Sequence, residues 1–321
     1  MAAVPSPRSD NGRGRIVITG AAGLVGQNLM PRIKALGFSD IVAIDKHPTN
    51  ARILSELHPD VRVVMADLAR DNGWQENLSG ATCLVVGHAQ IGGLDERAYA
   101  ANNVTATERL MEAAHTAGVE YLVHISSSVV NSAVIDFYTE SKTAQEKVVA
   151  SSGIPAAILR PTLMFGWFDR KHLGWLARFM RKTPIFPVPG DGRYLRQPLY
   201  AGDFCAIVAA SLGRRIRGGY NISGLEKIDY IELIRDLRDA IGLRTPIVRI
   251  PYPVFRAALQ VYALFDRDPP FTAKQLEALA TPDVFELIDW PGIFGVAATP
   301  LRQALRETFR DPRYAHISLD F

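Results

Sequence analysis

Tyr138 and Lys142 stand four residues apart in the stretch Tyr138-Thr139-Glu140-Ser141-Lys142. On a helix, that spacing puts both side chains on one face. An ammonium close to a phenol favours the phenolate, so Tyr138 suits the role of acid/base near neutral pH, with Lys142 in support. The run Ser126-Ser127-Ser128 follows the apolar Leu122-Val123-His124-Ile125 and offers a hydroxyl at a strand end. Such a hydroxyl can hydrogen-bond the same substrate oxygen. A second group of residues suits phosphate. Thr19-Gly20-Ala21-Ala22-Gly23-Leu24-Val25-Gly26 follows the apolar Ile16-Val17-Ile18 and opens a helical pattern through Gln27, Leu29, Ile33 and Leu36. Gly20 permits the tight turn, Gly23 lets a pyrophosphate approach, and Gly26 lets the helix pack closely on the strands. The helix start then offers unpaired N–H groups and a positive dipole end. Asp45, about 20 residues further on, can accept both ribose hydroxyls of an adenosine and would repel a 2′-phosphate, which favours NAD over NADP.

These residues need a scaffold, and the hydrophobic pattern supplies one. Short apolar runs at 16–19, 41–45, 61–66, 82–87, 121–126 and 156–160 alternate with helical stretches near 23–36, 50–57, 95–117 and 138–152. That alternation predicts an α/β fold with a Rossmann-type, doubly wound parallel sheet and right-handed crossovers. Beyond Gly166 the alternation stops and aromatics and prolines dominate, which predicts a smaller C-terminal substrate-binding lobe. Residues 15–165, with about 198–223, form the expected NAD-binding domain; 166–197 and 224–321 form the lobe. Residues 1–14 read as a disordered leader without an apolar signal region. A strand is expected at 219–222, with helices at 230–241, 252–265 and 301–309.

Composition narrows the class. The formal charge of +3 comes from 36 basic and 33 acidic residues spread along the chain, which leaves no clustered footprint for nucleic acid. No apolar run reaches the ~18–20 residues needed to span a bilayer. The two cysteines, Cys83 and Cys205, lie in apolar segments and read as core residues of a cytoplasmic protein, with no metal site.

The spacing Gly20-x-x-Gly23-x-x-Gly26, with Thr19 in front, resembles the extended short-chain dehydrogenase/reductases, the NAD-dependent epimerase/dehydratase family. The resemblance implies further cofactor contacts. Leu24 and Val25 would lie at the phosphate loop and Lys46 beside Asp45. Asp67-Leu68 would embrace the adenine. Gly87, His88 and Ala89 would pass beside the dinucleotide, in place of the family's His-hydrophobic-Ala-Ala run. Asn103, Ser126 and Pro161 complete that set, Pro161 within Arg160-Pro161-Thr162-Leu163-Met164-Phe165-Gly166. The resemblance makes Ser127 the catalytic serine, with Ser128 in reserve as a substrate contact. Tyr138 and Lys142 would meet both cofactor and substrate.

In Pro189-Gly190-Asp191-Gly192-Arg193-Tyr194-Leu195-Arg196, the resemblance assigns Arg196 to a substrate diphosphate, helped by Arg193. Asp203 reads as a helix N-cap. Two family contacts are missing: Leu163 stands where an Asn is common, and residues 283–286 carry no Lys or Arg. The resemblance thus implies an NAD-dependent sugar-nucleotide epimerase, dehydratase or reductase, expected as a homodimer acting on a nucleoside-diphosphate sugar. Two other readings remain open. One is a non-catalytic accessory subunit like the nucleotide-binding subunit of complex I. The other is a steroid or aryl alcohol dehydrogenase.

Overall fold

The computed structural model describes residues 13–132, 136–257 and 285–320. Ile16, Val17 and Ile18 are buried on both faces, which puts β1 (Arg15–Thr19) at the sheet centre. The chain continues through α1 (Leu24–Ala35), β2 (Ile41–Asp45), α2 (Pro48–Leu57), β3 (Arg62–Met65) and β4 (Ala81–Val86). Then come α3 (Glu96–Tyr99), α4 (Ala106–Thr116), β5 (Tyr121–Ile125), α5 (Phe137–Ser151) and β6 (Ala156–Pro161). With the strand Gly218–Ile222 these make a seven-stranded sheet ordered Gly218–Ile222, β6, β5, β4, β1, β2, β3. The pairs β1–β2, β2–β3, β1–β4, β4–β5 and β5–β6 are all parallel. Strand order reverses between β1 and β4, where doubly wound folds leave a crevice for a ligand.

The expected helix at 95–117 is broken. Between α3 and α4 the backbone widens into a π-helical stretch, Ala100–Thr105, around the fully buried Asn103. Its side chain accepts from Gln90 N at 2.6 Å and donates to Gln90 O at 3.2 Å and Ser141 Oγ at 2.9 Å. Such local bulges recur at functional sites.

The described residues divide into two units, one up to Arg160 with Cys205–Tyr220, the other Pro161–Phe204 with those from Asn221 onward. In the first, a core of Val17, Val42, Ile44, Leu84, Leu110 and Leu122 lies between sheet and helices. In the second, α6 (Leu173–Lys182), the helix Tyr230–Ala240 and the closing helix Leu301–Arg310 pack around Phe165, Phe186, Leu237 and Leu305. There the parallel pair Phe186–Pro189 with Ile247–Ile250 and the antiparallel pair Leu195–Arg196 with Ile228–Asp229 complete the framework. Asp203 does not cap its helix. That helix begins earlier, at Ala201, and the buried Asp203 carboxylate accepts from Thr299 N at 3.0 Å and Thr299 Oγ1 at 2.6 Å. Most of the expected helix at 252–265 lies outside the described residues, as do the leader up to 12 and the positions 283 and 284.

Candidate active site

The glycine loop turns out of β1 with Gly20 at φ +63°, and a Cβ there would collide with the backbone of Gly87 and His88 at the end of β4. At Gly26 a Cβ would run into the backbone of Ala21. Gly23 is the N-cap of α1, with no side-chain cap and no acid in the first turn. The start of α1 is therefore open to an anion. Asp45 holds the loop from β2: its carboxylate accepts from Ala22 N and His47 N, each at 2.9 Å. Lys46 pairs with Asp67 at 3.5 Å and donates to Asn102 Oδ1 at 2.7 Å. Leu68 turns its side chain into the core. An uncapped helix start, a glycine turn and an acid at the next strand end fit a dinucleotide well.

At the end of β5 the three serines diverge. Buried Ser126 donates to Glu146 Oε2 at 2.8 Å, and Glu146 is gripped by Arg160, whose Nε lies 3.0 Å from the same oxygen. Burial alone would raise the Glu146 carboxyl, but hydrogen bonds from Arg160 and Ser126 outweigh it and hold the group below the usual range. Ser127 opens a short 3-10 turn, Ser128–Asn131, accepting from Val129 N at 3.4 Å, and its hydroxyl faces the Tyr138 phenol. Burial raises the phenol, and the Ser127 hydroxyl pulls the other way. The short gap between Ser127 and Tyr138 does bring the two together.

Lys142 is where the arrangement departs from expectation. Its ammonium, 1% exposed, donates to Ile125 O at 3.0 Å and Gln145 Oε1 at 2.6 Å rather than lowering the phenol. Desolvation brings Lys142 down to about 7, and Glu146 opposes that shift. His88 is pulled down to about 3 by desolvation and by Lys142, so its imidazole is neutral. Both ring nitrogens are engaged, Nδ1 with Thr19 Oγ1 at 2.8 Å and Nε2 with Thr107 Oγ1 at 3.0 Å. Gln145, Thr107 and Glu146 were not singled out from the sequence. Only the i+3 and i+4 positions of Gln145 and Glu146 after Lys142 could have drawn attention to them.

In the second unit, Arg196 is half-buried, its guanidinium 5.2 Å from the Tyr194 ring centre and donating to Leu195 O at 3.3 Å. Arg193 is exposed, and Pro161 is buried at the end of β6. Among the described residues no cluster of His, Cys, Asp or Glu could hold a metal, and no helix is long and apolar enough to cross a membrane.

The model of the NAD-dependent epimerase/dehydratase family matches residues 16–223. The chain belongs to that family. It is accordingly an enzyme with NAD as cofactor. Curated relatives of this family member include a Caulobacter vibrioides ceramide reductase, 24% identical over 75% of each chain. A 3 beta-hydroxysteroid dehydrogenase/Delta 5-->4-isomerase of Mycobacterium tuberculosis is 25% identical over 85% of this chain and 81% of its own. Among solved structures, UDP-glucuronic acid 4-epimerase from Bacillus cereus in complex with NAD superposes with a TM-score of 0.69 at 21% identity, covering 93% of this chain and 98% of its own. WbmG of Bordetella bronchiseptica, in complex with NAD and UDP, gives 0.71 at 20% identity, over 97% and 99%. These likenesses share the fold of the sheet and its flanking helices.

Proposed function

We propose that the enzyme exchanges a hydride at a secondary carbinol of its substrate, with Tyr138 as the acid/base. The observation that carries this reading is the Ser127 hydroxyl facing the Tyr138 phenol at the end of β5, with Lys142 one turn further along α5. Bound NAD supplies the hydride acceptor and donor. It would be held by the start of α1, Gly20 to Gly26, with Asp45 on the adenosine ribose and Lys46, Asp67 and the backbone of Leu68 on the adenine side. Gly87, His88, Ala89, Asn103, Ser126 and Pro161 would frame the remaining course. The Tyr138 oxygen takes the carbinol proton as the alcohol is oxidised and returns it on reduction. Ser127 orients that same oxygen, with Ser128 beside it. Lys142, held beneath the end of β5 by Ile125 O and Gln145, would meet the nicotinamide ribose of the cofactor.

The proposed substrate is a nucleoside-diphosphate sugar, its diphosphate met by Arg196 with Arg193 as helper. A half-buried guanidinium over a tyrosine ring suits that role, because it is pre-positioned and never loses its charge. The two relatives crystallised with UDP or acting on UDP-glucuronic acid lend support. A second reading, an apolar alcohol, is favoured by the side chains around Tyr138. Tyr99 packs at 6.4 Å against both Phe137 and Tyr138; Phe137 is exposed, as are Ile91 and Leu94 in the segment that leads to Tyr99. The ceramide reductase and the steroid dehydrogenase point the same way. A thermal-shift screen of the NAD-bound protein against UDP, GDP and dTDP separates the two. Stabilisation by one of them that disappears in Arg196→Ala supports the sugar nucleotide. No shift with any diphosphate rejects it in favour of the apolar alcohol.

A further inference from the structure

A buried ammonium must find acceptors, and Lys142 finds a side chain that is itself fully buried. Gln145, 0% exposed, accepts from Lys142 through Oε1 at 2.6 Å. Its Nε2 donates to Thr107 Oγ1 at 3.0 Å and to His88 O at 3.2 Å. Those neighbours decide the amide's orientation, since a flipped amide would face its NH2 to the ammonium and its oxygen to a carbonyl. Thr107 spends its own proton on Asn103 O at 2.7 Å, so it accepts from Gln145 and also from His88 Nε2. His88 is therefore the Nε2–H tautomer, and its Nδ1 accepts from Thr19 Oγ1 at 2.8 Å. Thr19 in turn receives Gly87 N–H at 3.2 Å. One continuous set of hydrogen bonds runs from Lys142 to the residue that heads the glycine loop.

We propose that Gln145 is a positioning residue for Lys142, fixing the ammonium beneath the end of β5 and tying it through Thr107 and His88 to Thr19. A neutral amide suits this task. It satisfies the ammonium without cancelling its charge, which an acid in its place would do. The charged and titratable groups that face Lys142 leave the task to Gln145. Glu146 on α5 is committed to Arg160 and Ser126, while His88 after β4 and the buried His124 on β5 are both held neutral by desolvation. Tyr138 stands one turn earlier on α5. The inference rests on the reading of Lys142 as part of the active site, yet its geometry can be tested without turnover.

The test is a direct titration of Lys142 by NMR in the full-length protein labelled with 13C,15N-lysine, the resonance assigned by its loss in Lys142→Met. Thermal unfolding verifies that each variant is folded. Gln145→Leu should lower the Lys142 midpoint by about 1–2 pH units, the worth of a hydrogen bond to a charged group. Gln145→Glu should raise it, and it preserves the shape should the leucine variant fail to fold. Thr107→Val, which removes one of two acceptors of the amide, should lower the midpoint by a smaller step. The pH dependence of NAD affinity should move with the midpoint in each variant. An unchanged midpoint in both Gln145 variants overturns the proposal, as does an affinity loss equal at every pH. Neither readout requires Tyr138 to be catalytic, so failure here and failure of the catalytic reading are distinguishable.

Discussion

Replacing Asp45 with alanine removes two acceptors at once, since its carboxylate receives Ala22 N–H and His47 N–H, each at 2.9 Å. A hydrogen bond to a charged group contributes about 1.5–3 kcal/mol when buried. Asp45 is only half-buried, so water recovers part of that, and the pair together should be worth about 2–3 kcal/mol. At roughly 2–4 °C per kcal/mol for a unit of this size, Asp45→Ala should lower Tm by roughly 4–12 °C. Asp45→Asn keeps one acceptor and should lose about half as much. The asparagine variant also removes the charge that would face a 2′-phosphate, so the preference for NAD over NADP should fall by about tenfold or more, ~1.4 kcal/mol. Differential scanning calorimetry reads the first effect, and titration calorimetry with both cofactors reads the second. Unchanged Tm in both variants would refute the hydrogen-bond reasoning. Equal or tighter binding of NADP by the unaltered protein would refute the placement of Asp45 at the ribose.

Other outcomes follow from buried charge. Glu146→Gln breaks a pair whose side chains are 23% and 15% exposed, and should cost about 2–4 kcal/mol by urea unfolding at pH 7. Because the folded carboxyl lies below its ordinary value, the stabilisation is present above that value and is lost as pH falls through the folded one. The acid limb of the stability profile should therefore flatten in the variant. Lys142→Met should raise Tm, since it removes an ammonium whose pKa burial lowers from 10.5 to about 7. The penalty is complete below about 7 and is released as pH rises towards 10.5, so the difference from the unaltered protein should narrow over that window in a pH series of thermal melts.

Features set by neighbours in the chain were legible before any coordinates. The turn from Ile18 to Gly26 needs only a strand, three glycines and a helix in succession, and Asp45 follows at the next strand end. Alternation of apolar runs likewise implied the order-reversing sheet. What escaped depends on partners distant in sequence. Asn103 widens a helix because Gln90 and Ser141 claim its amide. Asp203 leaves the capping role because Thr299, 96 residues on, offers two donors. Lys142 looks towards Gln145 and Ile125 because burial demands acceptors, and four-residue spacing with Tyr138 says nothing about which acceptor is nearest. The tautomer of His88 depends on Thr19 and Thr107, which no local pattern connects.

The central claim is that Tyr138 moves the proton that accompanies hydride exchange with NAD. The most direct measurement mixes the NAD-loaded enzyme with nucleotide sugars and with apolar secondary alcohols, following absorbance at 340 nm in the unaltered protein and in Tyr138→Phe. With the true substrate, NADH should form rapidly in the former. It should form about 10²–10⁴ times more slowly in the latter, the usual cost of losing a well-placed acid/base. NAD affinity should be nearly equal in both. NADH formation at the same rate in Tyr138→Phe would contradict the account.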